Sequence, residues 1–250
     1  MAEVGSEDIA YYHAKYVDPH EGRYMSERAW RDSRGRALAD FVRPTVAVDT
    51  AVLSLDHDVG LVVLEVRRPT GRGWALPGTF LHQGERLADA VDRSLRDKAN
   101  IGGLHPRQLH VFDDPQRDER GWVLSVAHVD VVRLDRLASR FPQTTRLMPA
   151  AAPGRLTYDH ASIIDRAVDH LRARYRSVPD PDRLLADEFT LRQLRLAHEA
   201  IAGVALQRDA FRRTMEPQLV AAGRTITEGR GRPAEMFRRM KTSKSRRHAE

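Results

Sequence analysis

Between Trp74 and Ile101 the chain reads W-A-L-P-G-T-F-L-H-Q-G-E-R-L-A-D-A-V-D-R-S-L-R-D-K-A-N-I, and no other stretch constrains the fold as tightly. Pro77 and Gly78 break an extended run, because proline lacks a ladder N–H and glycine admits turn geometry. Leu87, Ala90, Val91, Leu95 and Ala99 then recur at helical spacing, giving one apolar face from about residue 86 to 99. Strand, tight loop and amphipathic helix are expected in immediate succession.

This order, with L-P-G followed by F-L-H-Q-G-E, resembles the Nudix box. In that family a Gly-rich loop and a helix bring glutamates onto magnesium to cleave a nucleoside diphosphate linked to another group. The match is close to Glu85 and then departs. Where the family has an Arg-Glu pair and, two residues on, a Glu-Glu pair, this chain has Arg93, Ser94, Leu95, Arg96, Asp97 and Lys98. Residues 94 and 98 are i,i+4 neighbours with 97 beside them, so all three side chains are expected on one patch. Magnesium needs oxygen ligands. A hydroxyl, a shorter carboxylate and an ammonium are a poor set for it. Thr79 and Asn100 also replace two glycines of the family pattern. The expectation is a retained fold without hydrolysis.

The chain has 250 residues, which favours two domains. It has no cysteine, so disulfides, thiolate nucleophiles and Cys-ligated metals are excluded. The first residues carry no apolar core segment and no apolar run approaches a membrane span, so a cytoplasmic protein without membrane association is expected. Net charge is +6, and apart from Lys15, Lys98, Lys241 and Lys244 every basic residue is arginine. Arginine's planar fork suits phosphates and guanine edges, although GC-rich codons would produce the same bias.

Residues 1–42 form a polar arm with Tyr11, Tyr12, Tyr16, Tyr24 and Trp30, open to partial helix, for example over 26–41, or to disorder. From Arg43 the pattern turns β. T-V-A-V-D-T-A-V-L-S-L and L-V-V-L-E-V flank the turn D-H-D-V-G, and strands are also expected at 108–112 and from Trp122. Pro149 to Gly154 reads as a connector. Beyond it a helix is expected over 160–176, capped by Asp159, then a short helix over 182–187.

The last third reads as a winged helix-turn-helix. Thr190 caps one helix, Gly203 ends it, and V-A-L turns into a second helix with Phe211 and Met215 inward. Gln207, Arg208, Arg212 and Arg213 then lie on the outward face, as a major-groove reader requires. G-R-T-I-T, E-G-R-G-R-P and A-E-M-F-R-R read as a wing whose tip carries Arg230 and Arg232. DNA contacts are assigned to Thr190, Arg192, Gln207, Arg208, Arg212, Arg213, Arg224, Arg230 and Arg232.

A degenerate Nudix domain before such a winged helix is similar to the Nudix-related transcriptional regulators, NrtR. R-R-P-T-G-R-G-W-A-L-P-G-T-F, D-D-P-Q-R-D-E-R-G-W-V-L-S-V-A, L-T-Y-D-H-A-S-I-I-D-R-A-V, E-F-T-L-R-Q-L, F-R-R and G-R-G-R-P carry the likeness. The resemblance implies an α/β/α sandwich followed by a winged helix, that is, α/β plus α+β. By it the chain divides into arm 1–42, Nudix-like effector domain 43–150, linker 151–159, winged helix 160–242 and basic tail 243–250. It further implies a homodimer on pseudo-palindromic operator DNA that represses NAD synthesis or salvage genes. ADP-ribose, NAD or a related nucleotide would be the effector, with no cofactor required.

For that effector, Arg67, Arg68, Arg93 and Lys98 are candidates to bind the diphosphate, Trp74 and Phe80 to stack on adenine, and Arg117 either to reach the ligand or to brace its loop. Glu85 and Asp97 are the carboxylates left for one weak metal. His160, His170 and His198 lack ligand spacing and are expected to be structural. The rival readings are an active magnesium-dependent hydrolase of ADP-ribose or NADH, and a regulator whose Nudix domain only dimerises.

Overall fold

The computed structural model describes residues 31–69, 72–227 and 233–240. The aromatic arm residues before 31, the wing tip with Arg230 and Arg232, and the basic tail lie outside them. The chain forms two units, Met1–Pro44 and Thr45–Glu250.

In the first unit, the described part of the expected 26–41 helix is a tight turn instead. The Asp32 carboxylate accepts the N–H groups of Arg34 and Arg36, each at 2.9 Å, and Gly35 takes φ +78°. A side chain that captures nearby amides in this way competes with the helical ladder. Only a 3₁₀ turn, Leu38–Asp40, follows.

The second unit is built on a seven-stranded mixed sheet. Its central strand is β1 (Thr45–Asp56), antiparallel to β2 (Gly60–Arg67) and parallel to β6 (Val123–Val131). β5 (Arg107–Phe112) lies outside β6, and β3 (Trp74–Ala75) and β7 (Thr145–Pro149) both pair with β2. β4 (Gly78–Phe80) pairs with Ala47–Asp49 of β1. The strand thus ends before Pro77 as expected, while Gly78–Phe80, expected as loop, forms a second short strand with a different partner.

Alternation along the strands divides the apolar side chains between two cores. Val48, Val52, Leu64 and Val66 face helix α1 (Leu87–Ala99), meeting its Ala90, Val91, Leu95 and Ala99. Ala51, Leu53, Leu61 and Val63 face helix α2 (His160–Tyr175), meeting Ile163, Ile164, Ala167, Val168 and Leu171. The expected connector 151–159 therefore runs between β7 and α2 inside an α/β/α sandwich.

α1 ends at Asn100, whose φ of 55° is the left-handed conformation that asparagine tolerates. Its side chain donates to the Ser139 carbonyl at 2.7 Å. The exchange of a family glycine for Asn100 therefore preserves the helix end.

The winged helix has its own core of Phe189, Leu194, Phe211, Met215, Leu219 and Phe237. Helix α3 (Leu191–Ala202) begins with a capping box between Thr190 and Gln193 and ends at Gly203, φ +74°. Helix α4 (Arg208–Met215) follows, and β8 (Glu188–Thr190), β9 (Leu219–Ile226) and β10 (Ala234–Arg239) form the wing sheet in the order β8-β10-β9. Ile201 of α3 enters the core beneath α2, so the reader is seated on the sandwich.

The short helix expected at 182–187 does not form. Asp180 captures the amides of Leu184 and Leu185 at 2.8 and 3.0 Å, and Arg183 takes φ +56°, so the helical ladder is not available there.

Candidate functional site

A cleft of about 290 Å³ opens where β4, the end of α1, the 113–122 loop and the start of α2 meet. Its floor is Asp49, a carboxylate buried within β1 between the apolar Val48 and the fully buried Thr50. Asp49 Oδ2 accepts from Ser125 Oγ at 2.6 Å, and Arg117 stands 3.7 Å away. His160 Nδ1 accepts the Leu76 N–H at 3.0 Å, which places its proton on Nε2, 3.3 Å from Asp49 Oδ1. Burial works to raise the Asp49 carboxyl, but His160, Ser125 and Arg117 outweigh it and hold it below the usual carboxylate range. Gly78 is required above this floor, since a Cβ there would lie 1.9 Å from Asp49 Oδ1 and 2.8 Å from the Val48 carbonyl oxygen.

Five cations line the cleft, Arg67, Arg68, Lys98, Arg117 and Arg120, against the carboxylates of Asp49 and Asp118. Arg120 grips Asp118 at 2.9 and 2.7 Å and lies between two rings, 4.7 Å from Phe80 and 4.9 Å from Tyr158. Arg68 donates to Tyr158 Oη at 3.3 Å. Lys98 Nζ donates to the Gly78 carbonyl, and burial pulls its pKa down despite the Asp49 charge. The wall is therefore cationic and partly aromatic, a surface suited to a phosphate and a flat ring.

The sequence candidates divide on this geometry. Arg67, Arg68, Phe80, Lys98 and Arg117 line the cleft; Trp74, Glu85 and Arg93 do not. Trp74 lies under Arg146, 4.2 Å from its ring, and Arg146 also binds the buried Glu65. Arg93 closes a fork on Glu85 at 2.8 and 2.9 Å and reaches the Phe80 carbonyl and Thr79 Oγ1, at 2.9 and 3.2 Å. Arg93 and the His82 amide hold Glu85 at a pKa of about 2. The pair braces the box loop, and Thr79 is part of the brace.

Arg117 turns away from solvent and binds Asp159 at 2.8 and 2.5 Å. It joins the loop to the start of α2. Asp49, Asp118, Arg120, Tyr158 and His160 were not among the sequence candidates. An aspartate inside an apolar strand was the signal for the first, because lone charges are rarely buried without purpose.

At the other end of α2, Tyr175 Oη donates to Asp180 at 3.0 Å. Asp180 also binds Arg239 of β10 at 3.0 and 2.5 Å, and its N–H reaches His198 Nε2 of α3 at 3.4 Å. Arg172 donates to the Ile201 carbonyl at 3.1 Å. One helix thus touches the cleft with its first turn and the reader with its last.

On the reader, Arg208 and Arg213 are exposed on α4. Arg212 is folded onto Glu216 at 2.6 and 3.0 Å, and Arg224 pairs with Glu188. Gln207 caps α4 by accepting the Ala210 N–H. Thr190 is buried, its hydroxyl held by the cap of α3. Arg192, Arg195 and Arg208 line a groove between α3, α4 and β10.

Fold and site together define a Nudix-type sandwich with a cationic cleft, joined to a winged helix. Residues 182–239 match the NrtR DNA-binding winged helix domain. NrtR of Shewanella oneidensis, solved in complex with a 27mer DNA, is 30% identical, with 78% of this chain and 93% of that one covered and a TM-score of 0.64. An ADPR-responsive transcriptional repressor, NtrR, of Acinetobacter baylyi is 28% identical over 210 residues, 80% of this chain and 84% of the relative. An ADP-ribose pyrophosphatase of Methanocaldococcus jannaschii is 28% identical over 125 residues, half of this chain and 73% of that enzyme. The chain belongs to the NrtR family.

Proposed function

We propose that the chain is a transcriptional repressor that occupies operator DNA through its winged helix and leaves it when ADP-ribose enters the cleft. The carrying observation is that the cleft and the reader share α2, with Arg117–Asp159 and Asp49–His160 at one end and Tyr175–Asp180–Arg239 at the other. A ligand shifts such a two-state element only if it binds the two states differently. A diphosphate drawn to Arg117 competes with Asp159 and so acts on the start of α2. The DNA-bound and ADPR-responsive relatives support both halves of this reading.

The genes controlled are those of NAD synthesis or salvage, and the working form is a homodimer on a pseudo-palindrome in the cytoplasm. No helix among the described residues is long and apolar enough to cross a membrane. The chain acts without hydrolysis, a reading favoured by Lys98 in the cleft and by the hold of Arg93 on Glu85.

Fluorescence anisotropy of a labelled promoter fragment from NAD-synthesis genes, titrated with protein and then with ADP-ribose, tests the reading. Tight binding reversed by ADP-ribose is expected. Weak binding, abolished by salt and no better than on random DNA, together with magnesium-dependent release of AMP from ADP-ribose, would establish the hydrolase instead.

A further inference from the structure

The Nudix fold implies a magnesium ion, and the residues present do not fit one. Among the described residues no three His, Asp or Glu side chains converge as a metal site requires. Glu85 is held in the Arg93 fork. Ser94 is buried with its hydroxyl unpartnered, and Asp97 is exposed and borders a neighbouring recess, not the cleft. Of the four positions 85, 94, 97 and 98, the one that lines the cleft carries an ammonium, Lys98, directed at the Gly78 carbonyl.

Lys98 also occupies a particular place in the cavity. Beside the cleft lies a second recess of about 420 Å³, bordered by Asp97, Phe141 and Thr144. The two share Arg67, Pro69 and Lys98, so two cations stand at the waist between adjoining chambers. Among the described residues no carboxylate forms an ion pair with either.

We propose that this cleft binds its effector without any divalent metal, the Lys98 ammonium and the Arg67 guanidinium at the waist taking the diphosphate of a ligand whose two halves occupy the two chambers. The ligand class is an X–diphosphate–Y compound, and the proposal rests on the reading above that the effector is of the ADP-ribose type. A resident ammonium neutralises phosphate oxygens as a magnesium ion would, but it withdraws no electrons from a coordinated water and recruits no hydroxide. Metal-free holding and the lack of a hydrolytic route then have one cause. Lys98 exchanges the Gly78 carbonyl for a phosphate oxygen, a stronger, charge-assisted partner.

The test is calorimetric titration of ADP-ribose into the full chain, once in EDTA and once in magnesium chloride. Affinities equal within about twofold are expected, with Lys98→Met weakening binding roughly tenfold or more and Lys98→Arg retaining most of it. Enhancement by magnesium of more than about tenfold would overturn metal independence while leaving the repressor reading intact. Unchanged affinity in Lys98→Met, with its thermal melt matching the parent, would overturn the role of Lys98. The comparison of the two buffers needs only the parent chain, so a variant that misfolds does not remove the test. Absence of heat in both buffers would instead overturn the ADP-ribose reading itself, and this proposal with it.

Discussion

Asp180 has no solvent exposure and a φ of +47°, and its carboxylate serves Tyr175, Leu184, Leu185 and Arg239 at once. Asparagine accepts that backbone and can keep part of the network, whereas alanine accepts neither. Asp180→Ala also takes from the largely buried Arg239 its close carboxylate, leaving it the Leu185 and Ala186 carbonyls and the exposed Asp187 at 3.9 Å, so a loss of about 3 kcal/mol is expected, against a clearly smaller one for Asp180→Asn. Equal urea midpoints for the two variants would contradict this account.

His198 gives the chain an acid limit. Burial lowers its pKa to about 4 from the ordinary 6.5, so the unfolded chain takes up its proton before the folded one does. Its contribution is therefore complete above pH 6.5 and is lost as pH falls toward 4, by an amount on the order of 3 kcal/mol. His128, lowered by the same cause, acts in the same direction. Urea midpoints measured between pH 7 and 4.5 should fall, and the fall should shrink in His198→Phe. Gly78→Ala is expected to cost about 1–3 kcal/mol at any pH, since its methyl group meets the backbone carbonyl as well as Asp49.

At the scale of elements, α2 is sixteen residues and so about 24 Å long, enough to reach from the cleft to the hub at Asp180. Arg117→Ala should leave a repressor that still binds DNA but answers ADP-ribose weakly. Anisotropy with added ADP-ribose decides this, and a full response in the variant would remove Arg117 from the switch. On α4, exposed Arg213 is free of the kind of pairing that holds Arg212 on Glu216. Arg213→Ala should then weaken DNA binding and lower the slope of log affinity against log salt by about 1.

Much of this element map was legible in the chain. Alternation gave β1, apolar runs bounded by turn residues gave β2 and β6, and Thr190 and Gly203 bounded α3, because each is a local signal. β7 was not legible, since T-R-L-M-P mixes charge and proline and becomes a strand only against β2. The missing 182–187 helix has the same origin, a carboxylate whose partners are fixed by the tertiary fold. Site residues followed this divide. Lys98 and Arg117 stood inside recognisable segments, whereas the Asp49–His160 and Leu76–His160 contacts join residues far apart in sequence, and no spacing announces them.

For the whole molecule, the central claim is that cleft and reader exchange free energy through one helix. Binding linkage is reciprocal, so if ADP-ribose weakens operator binding by some factor, operator must weaken ADP-ribose binding by the same factor. Neither the site chemistry nor the identity of the genes enters that equality. The most direct measurement is calorimetric titration of ADP-ribose into the full chain, first free and then saturated with operator duplex. The account predicts a weaker affinity on DNA, by the factor that separates the two anisotropy curves. Identical affinities, free and DNA-bound, would show a cleft and a reader that share a helix but not a switch.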